Sequence, residues 1–113
     1  THDDEIALGV LDVLDEYKEN GTAKKMFPNL KVIAGSSGSQ EMYRRIQKEE
    51  EYMLFSMSYW PQMIQEAVRV GERILLEEPY EEMTIVPTVF VGKNQVEKYM
   101  DASILIGKQW DFQ

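Results

Sequence analysis

The apolar positions of this chain fall into short runs and stripes divided by polar turns, and their spacing alternates between the helical and the extended period. Ile6, Val10, Val13, Leu14 and Tyr17 recur at helical spacing before Asn20-Gly21, which predicts a first helix of roughly four turns with this stripe as its buried side. Lys31-Val32-Ile33-Ala34 is a short apolar run ending in Gly35-Ser36-Ser37-Gly38, after which Met42, Tyr43 and Ile46 restore the helical period. Strand, glycine turn and helix is the simplest parse. Residues 52–57 read as a second buried strand, and Pro61 suits the first turn of a helix, where a missing N–H costs nothing. Ile64, Ala67, Val68, Gly71, Ile74 and Leu75 form the cleanest helical face, which Pro79 ends. Residues 84–91 are β-branched and aromatic, but Pro87 makes them an edge strand or an irregular crossing segment. A short helix over residues 95–100 and the apolar Ile104-Leu105-Ile106 close the chain.

The order α-β-α-β-α-β-α predicts an α/β fold with parallel strands joined by right-handed helical crossovers. In such folds a strand normally delivers the chain to a helix N-terminus, so a further strand upstream of the first helix is expected.

Composition removes several classes of function. The 113 residues carry 12 Lys+Arg against 20 Asp+Glu, a net charge of −8, and the few basic residues sit among carboxylates, as in Lys48-Glu49-Glu50-Glu51. A nucleic-acid partner is not expected, because phosphate backbones are held by clustered Lys and Arg. With no cysteine there is no disulfide, thiolate metal site or cysteine nucleophile. No apolar run is long enough to span a membrane, and Thr1-His2-Asp3-Asp4-Glu5 is the reverse of a basic leader, so no targeting signal is read in this segment.

Three constellations carry chemistry. Asp3, Asp4 and Glu5 open the first helix, where a carboxylate caps free N–H groups or, at the C-terminal edge of a sheet, accepts hydrogen bonds from ligand hydroxyls. A metal site on His2 with Asp3 or Asp4 has suitable ligand types but too few of them. Gly35-Ser36-Ser37-Gly38-Ser39 follows a strand and precedes a helix, so it is either an anion-cradling turn or a plain turn closed by a Ser37/Gln40 capping box. It lacks the lysine of a P-loop. Ser56-Met57-Ser58-Tyr59-Trp60-Pro61-Gln62 combines aromatic rings with hydroxyls, a pairing that suits a sugar and equally suits a core turn. Met42, Met53 and Met57 read as core filling, and Glu49-Glu50-Glu51 as a solvated run. No Ser/His/Asp set or nucleophile elbow is present, and no catalytic residue or cofactor is assigned.

The order of these motifs resembles the type I periplasmic sugar-binding proteins, the ribose- and galactose-binding family. Asp3-Asp4-Glu5-Ile6-Ala7-Leu8-Gly9 resembles their Asn-Asp-(Asp/Glu)-Met-Ala-Leu-Gly segment. Val32-Ile33-Ala34-Gly35-Ser36-Ser37-Gly38 resembles their strand and Gly-Phe-Asp-Gly turn, and residues 55–75 resemble a hinge strand with its proline-started helix. Ile85-Val86-Pro87-Thr88-Val89-Phe90-Val91 with Asn94-Gln95-Val96-Glu97-Lys98-Tyr99 resembles their closing segment.

What the resemblance implies is the C-terminal part of a three-layer, parallel-sheet α/β sandwich with two lobes. Residues 1–58 would belong to the C-terminal lobe, about 59–87 to the N-terminal lobe, and about 88–113 to the return crossing and tail, with Trp110 and Phe112 packing across the hinge or in an ordered tail. The function implied is the substrate-binding component of a bacterial ABC transporter, which encloses a sugar by hinge closure and performs no chemistry. Its partners are a small-molecule sugar and the transporter permease, its location periplasmic or tethered outside the membrane, and a homodimer of this segment is a further expectation. Asp4 matches the family carboxylate that bonds sugar hydroxyls. Ser58, give or take one residue, stands at the hinge position of a ligand-contacting Gln, with Tyr59 and Trp60 beside it. Asp3 stands where Asn is usual and Ser58 where Gln is usual, which leaves the sugar unnamed, and Ser36-Ser37 stands where Phe-Asp is usual, which questions any contact from that turn. Sugar-responsive repressors of the LacI type share this core, so an effector-binding domain is the alternative. An enzyme using the 35–39 turn for a phosphorylated substrate is a third reading.

Overall fold

The computed structural model describes residues 1–19, 21–59 and 63–100. Its elements are α1 (Asp4–Glu19), α2 (Ala23–Met26), β1 (Val32–Ser37), α3 (Gln40–Lys48), β2 (Met53–Ser58), α4 (Met63–Leu75), β3 (Val89–Gly92) and α5 (Val96–Tyr99). The predicted elements at 104–106 and the tail containing Trp110 and Phe112 lie outside the described residues.

The fold is mixed α/β. The sheet has the order β1-β2-β3, with β1 parallel to β2 from Val32↔Met53 to Ser37↔Ser58. The expectation of an all-parallel sheet fails at β3, which runs antiparallel to β2 from Phe55↔Gly92 to Ser58↔Val89. The reason is topological. The chain leaves the sheet at the C-terminal end of β2 and returns at that same end, so it re-enters in the opposite sense with no crossover. Only the last part of the 84–91 run is strand, beginning two residues after Pro87 on an edge, where a missing N–H is tolerated.

Alternation divides the sheet into two unlike faces. Ile33, Leu54 and Val91 join Ala7, Leu11, Leu14, Met42, Tyr43, Ile46 and Val96 in one core, so α1, α3 and α5 cover the same side. The opposite face carries Val32, Met53, Met57 and Phe90, all exposed, with the Phe55 and Phe90 rings 4.9 Å apart. Among the described residues this is therefore a two-layer arrangement. Met53 and Met57 are not core filling as expected; Met42 is.

The α1 stripe is also corrected. Asp4, Ala7, Leu11 and Leu14 are buried, whereas Ile6, Val10, Val13 and Tyr17 face outward. Both lines have helical spacing, and the pattern alone favours the one with bulkier side chains. What turns the helix is Asp4, which inserts over the end of β1 and the Gly38-Ser39 turn and brings the small Ala7 onto the sheet behind it. The outward stripe, with Phe27 and Leu30, lines an open apolar groove. At its C-terminus α1 closes with a Schellman motif: the Thr22 N–H donates to Tyr17 O and the Gly21 N–H to Lys18 O, each at 2.9 Å, with Gly21 at φ 66°.

Helix α4 buries no residue, and Ile64, Val68, Ile74 and Leu75 of its apolar face are exposed. Its neighbour is the returning chain: Glu81, Glu82, Thr84 and Val86 share a groove with Met63, Ala67, Val70 and Ile74.

The acidic run after α3 is more than a solvated face. The Glu49 side chain is only 8% exposed; its carboxylate accepts from the Glu51 and Tyr52 N–H groups and from Arg45, whose guanidinium also forks onto Asp15 at 2.6 and 3.0 Å. Lys18 pairs with Glu51 at 2.7 Å. These contacts tie α1, α3 and the approach to β2 together at the end of the sheet opposite the candidate site.

Candidate functional site

The C-terminal ends of β1 and β2 meet the N-termini of α1 and α3, the edge at which open α/β sheets present ligand groups. Asp4, from the first turn of α1, is fully buried there. Its Oδ2 accepts from the backbone N–H groups of Gly38 at 3.0 Å and Ser39 at 2.7 Å, and its Oδ1 accepts from the Ser56 hydroxyl at 2.8 Å. One side chain thus fastens α1 to the turn after β1 and to the middle of β2. Gly35 makes the approach possible, since a Cβ at that position would overlap Asp4 Oδ1.

Ser58, the last residue of β2, is also fully buried, and its Oγ lies 2.6 Å from the Tyr43 hydroxyl of α3. Gly38, at φ 95°, fits beneath this pair, because a Cβ there would come within 3.0 Å of both hydroxyl oxygens. Burial holds the Tyr43 phenol above its ordinary pKa, aided by the negative charge of Asp4 and opposed by the hydrogen bond to Ser58.

Of the residues expected to contact ligand, the structure places Asp4 and Ser58 at the C-terminal edge of the parallel strands and turns both inward, with partners from within the chain. Tyr59 is 40% exposed at the point where the chain leaves the sheet, and its N–H donates to Ser37 O at 3.2 Å. Trp60 lies outside the described residues. Asp3 caps α1 by accepting from the Ile6 N–H at 2.8 Å, so the N-terminal carboxylates divide their work: Asp3 caps and Asp4 clamps. The cap of α3 is Ser39, which accepts from the Met42 N–H at 3.2 Å, and not the predicted Ser37. Ser37 instead ends β1 at φ 126°, outside the helical-cap conformation and in a region few non-glycine residues adopt.

Sequence reasoning placed Ser56 only within the aromatic turn and Tyr43 only on the α3 stripe, and missed both as hydrogen-bond partners at this site. A signal was present: Ser56 and Ser58 occupy the same alternating face as Leu54, and hydroxyls in the buried register of a strand require partners. Among the described residues no group of three or more His, Asp or Glu is arranged to hold a metal ion, and no helix is long and apolar enough to cross a membrane. Compared with known proteins, the chain matches no family model, and no curated protein or solved structure is significantly similar to it.

Proposed function

We propose that this chain is part of a two-lobed sugar-binding protein of the type I periplasmic class, the substrate-binding component of a bacterial ABC transporter, in which it contributes a C-terminal lobe and a piece of the other lobe. The observation that carries the reading is the neck at Ser58↔Val89. The chain leaves the α/β unit there, forms α4 and its returning partner, and comes back to pair beside its point of departure. An excursion with adjacent entry and exit strands is what a hinge between lobes requires, because two neighbouring strands bend together while each lobe moves as a body.

The exposed apolar face of α4 and the bare face of the sheet support the same reading, since both suit surfaces covered by the remainder of a larger, three-layer protein. In this arrangement residues 59–87 belong to the N-terminal lobe. Tyr59 is the residue of the edge best placed to lie against the apolar face of a sugar ring, with Trp60 next to it in sequence. Asp4 and Ser58 support the edge from behind. The protein works by binding and closure alone, outside the cytoplasmic membrane and facing a permease.

The test uses the full-length protein and calorimetric titration with a panel of aldopentoses and aldohexoses, followed by small-angle scattering with and without the sugar that binds. The expected result is saturable binding of at least one sugar and a smaller radius of gyration in its presence. Failure of every sugar to bind, or conversion of a sugar to product, overturns the proposal. Sugar-dependent release of operator DNA would move it to the effector domain of a LacI-type regulator.

A further inference from the structure

We infer that the turn between β1 and α3 is an anion-binding site whose permanent occupant is the protein's own Asp4 carboxylate. Such turns bind anions because successive N–H groups converge at a helix N-terminus, where the aligned peptide dipoles favour negative charge. All of these parts are here. The Gly38 and Ser39 N–H groups converge on Asp4 Oδ2 at 3.0 and 2.7 Å, at the start of a nine-residue helix. A third neutral donor, the Ser56 hydroxyl, meets the other oxygen at 2.8 Å. The missing Cβ of Gly35 leaves room for Oδ1, which a methyl at that position would overlap.

Two consequences follow. With its donors engaged and its occupant fully buried, the turn holds no phosphate or carboxylate of a substrate in the native protein, which removes the footing of a phosphate-dependent enzyme at this place. The cradle itself is built by β1, α3 and β2, so it outlives the side chain that fills it. Removing Asp4 exposes a site for a small carboxylate. Formate matches the group deleted in Asp4→Ala, and acetate matches the one deleted in Asp4→Gly.

The experiment records backbone amide resonances of the chain while sodium formate is added, with sodium chloride as the ionic-strength control. In Asp4→Ala the Gly38 and Ser39 amides are expected to shift saturably with formate, and the thermal midpoint to rise with it. In the wild type neither formate nor phosphate moves these two amides. A folded Asp4→Ala protein that responds alike to formate and chloride overturns the inference, as does a wild-type protein whose Gly38 and Ser39 amides shift with phosphate. Asp4→Leu provides a second readout, since it keeps the approximate volume but removes both acceptor oxygens from the Gly38, Ser39 and Ser56 donors. Exchange of the Gly38 or Ser39 amide should accelerate by about tenfold or more in that variant. Unchanged protection at both overturns the inference even if Asp4→Ala does not fold. None of these measurements involves a sugar, so the outcome is independent of the proposed function.

Discussion

Tyr43 fastens Ser58 at the point where the sheet lets the chain go: the two hydroxyls are 2.6 Å apart, and Ser58 pairs directly with Val89 on the returning strand. Exit and return of the 59–88 excursion are therefore anchored to α3 through one buried side chain. The Asp4 clamp lies immediately beside it, on the same turn.

Replacing Tyr43 by Phe leaves the buried Ser58 hydroxyl without its partner, for a loss of about 1–2 kcal/mol. Because the two groups act as a pair, Tyr43→Phe combined with Ser58→Ala should cost less than the sum, with a coupling of about 1 kcal/mol by urea denaturation. The phenol also makes an alkaline prediction. Its folded pKa is raised, so the folded state holds the proton more tightly than the unfolded chain, whose ordinary value is 10.0. The stabilisation is whole below that value and is lost as pH rises through the folded pKa. Tyr43→Phe should therefore flatten the fall in stability above pH 10; an unchanged profile would assign that fall elsewhere.

Gly35 and Gly9 give opposite expectations for the same substitution. A methyl at Gly35 displaces the Asp4 carboxylate from its donors, and Gly35→Ala should destabilise by about 2–4 kcal/mol. Nothing lies within 4 Å of a Cβ at Gly9, inside α1. Gly9→Ala should stabilise by about 0.5–1 kcal/mol through helix propensity. Equal effects at the two sites in thermal denaturation would contradict the Asp4 geometry.

Acid sensitivity should concentrate in the Arg45 cluster. The hydrogen bond from Arg45 holds the Asp15 carboxyl below its usual value of 3.8. For Glu49, burial alone pushes the pKa up, but the N–H groups of Glu51 and Tyr52 and the Arg45 guanidinium together bring it below 4.5. Depressed folded values contribute stability that is whole above the unfolded pKa and lost as pH falls through the folded one. The window thus opens near pH 4.5 and extends downward. Arg45→Met should cost about 1–2 kcal/mol at pH 7, discounted because Asp15 is half exposed, and should reduce the further loss on acidification. Parallel wild-type and variant curves between pH 5 and 2 would show that the cluster is not the origin.

Helix α4 ends as α1 does, with a residue in the left-handed region followed by two return bonds: the Glu77 N–H to Ile74 O at 3.2 Å and the Glu78 N–H to Arg73 O at 2.9 Å. At α1 that residue is Gly21, whereas at α4 it is Glu77, at φ 56°. A Cβ in this conformation costs about 1 kcal/mol. Glu77→Gly should relieve it, raising the helicity of α4 by circular dichroism without moving the main unfolding transition.

The parts of the fold most legible in the sequence were those in which one period had one interpretation. The α3 stripe of Met42, Tyr43 and Ile46 is the buried face, and the apolar runs before Gly35 and before Tyr59 are the two parallel strands. Where two faces of an element are both apolar, periodicity does not choose. In α1 the choice fell to Asp4 through hydrogen bonds to residues more than thirty positions away, a tertiary constraint that no local window contains. The direction of β3 was hidden for a related reason, since α-β alternation implies crossovers only when the intervening helix packs on the sheet, and α4 does not. At the candidate site the residue types and the sheet edge were readable. Whether each polar group faced a ligand or a neighbour depended on Gly35, Gly38, Ser56 and Tyr43 acting together.

That separation of α4 from the core leads to the last expectation. Val68 is 64% exposed on α4, while Leu11 is fully buried beneath α1. Leu11→Ala should cost about 2–5 kcal/mol, because it opens a cavity in the one core that joins α1, α3, α5 and the sheet. Val68→Asp should change the stability of this chain by less than about 0.5 kcal/mol, since an exposed side chain has no packing to lose. Under the proposed two-lobe reading the rest of the protein covers α4, and in that longer protein the same substitution should destabilise by more than about 1 kcal/mol. Urea denaturation of both proteins distinguishes the cases. A small effect in both would mean that α4 is solvated in the whole protein, and the placement of residues 59–87 within a second lobe would have to be given up.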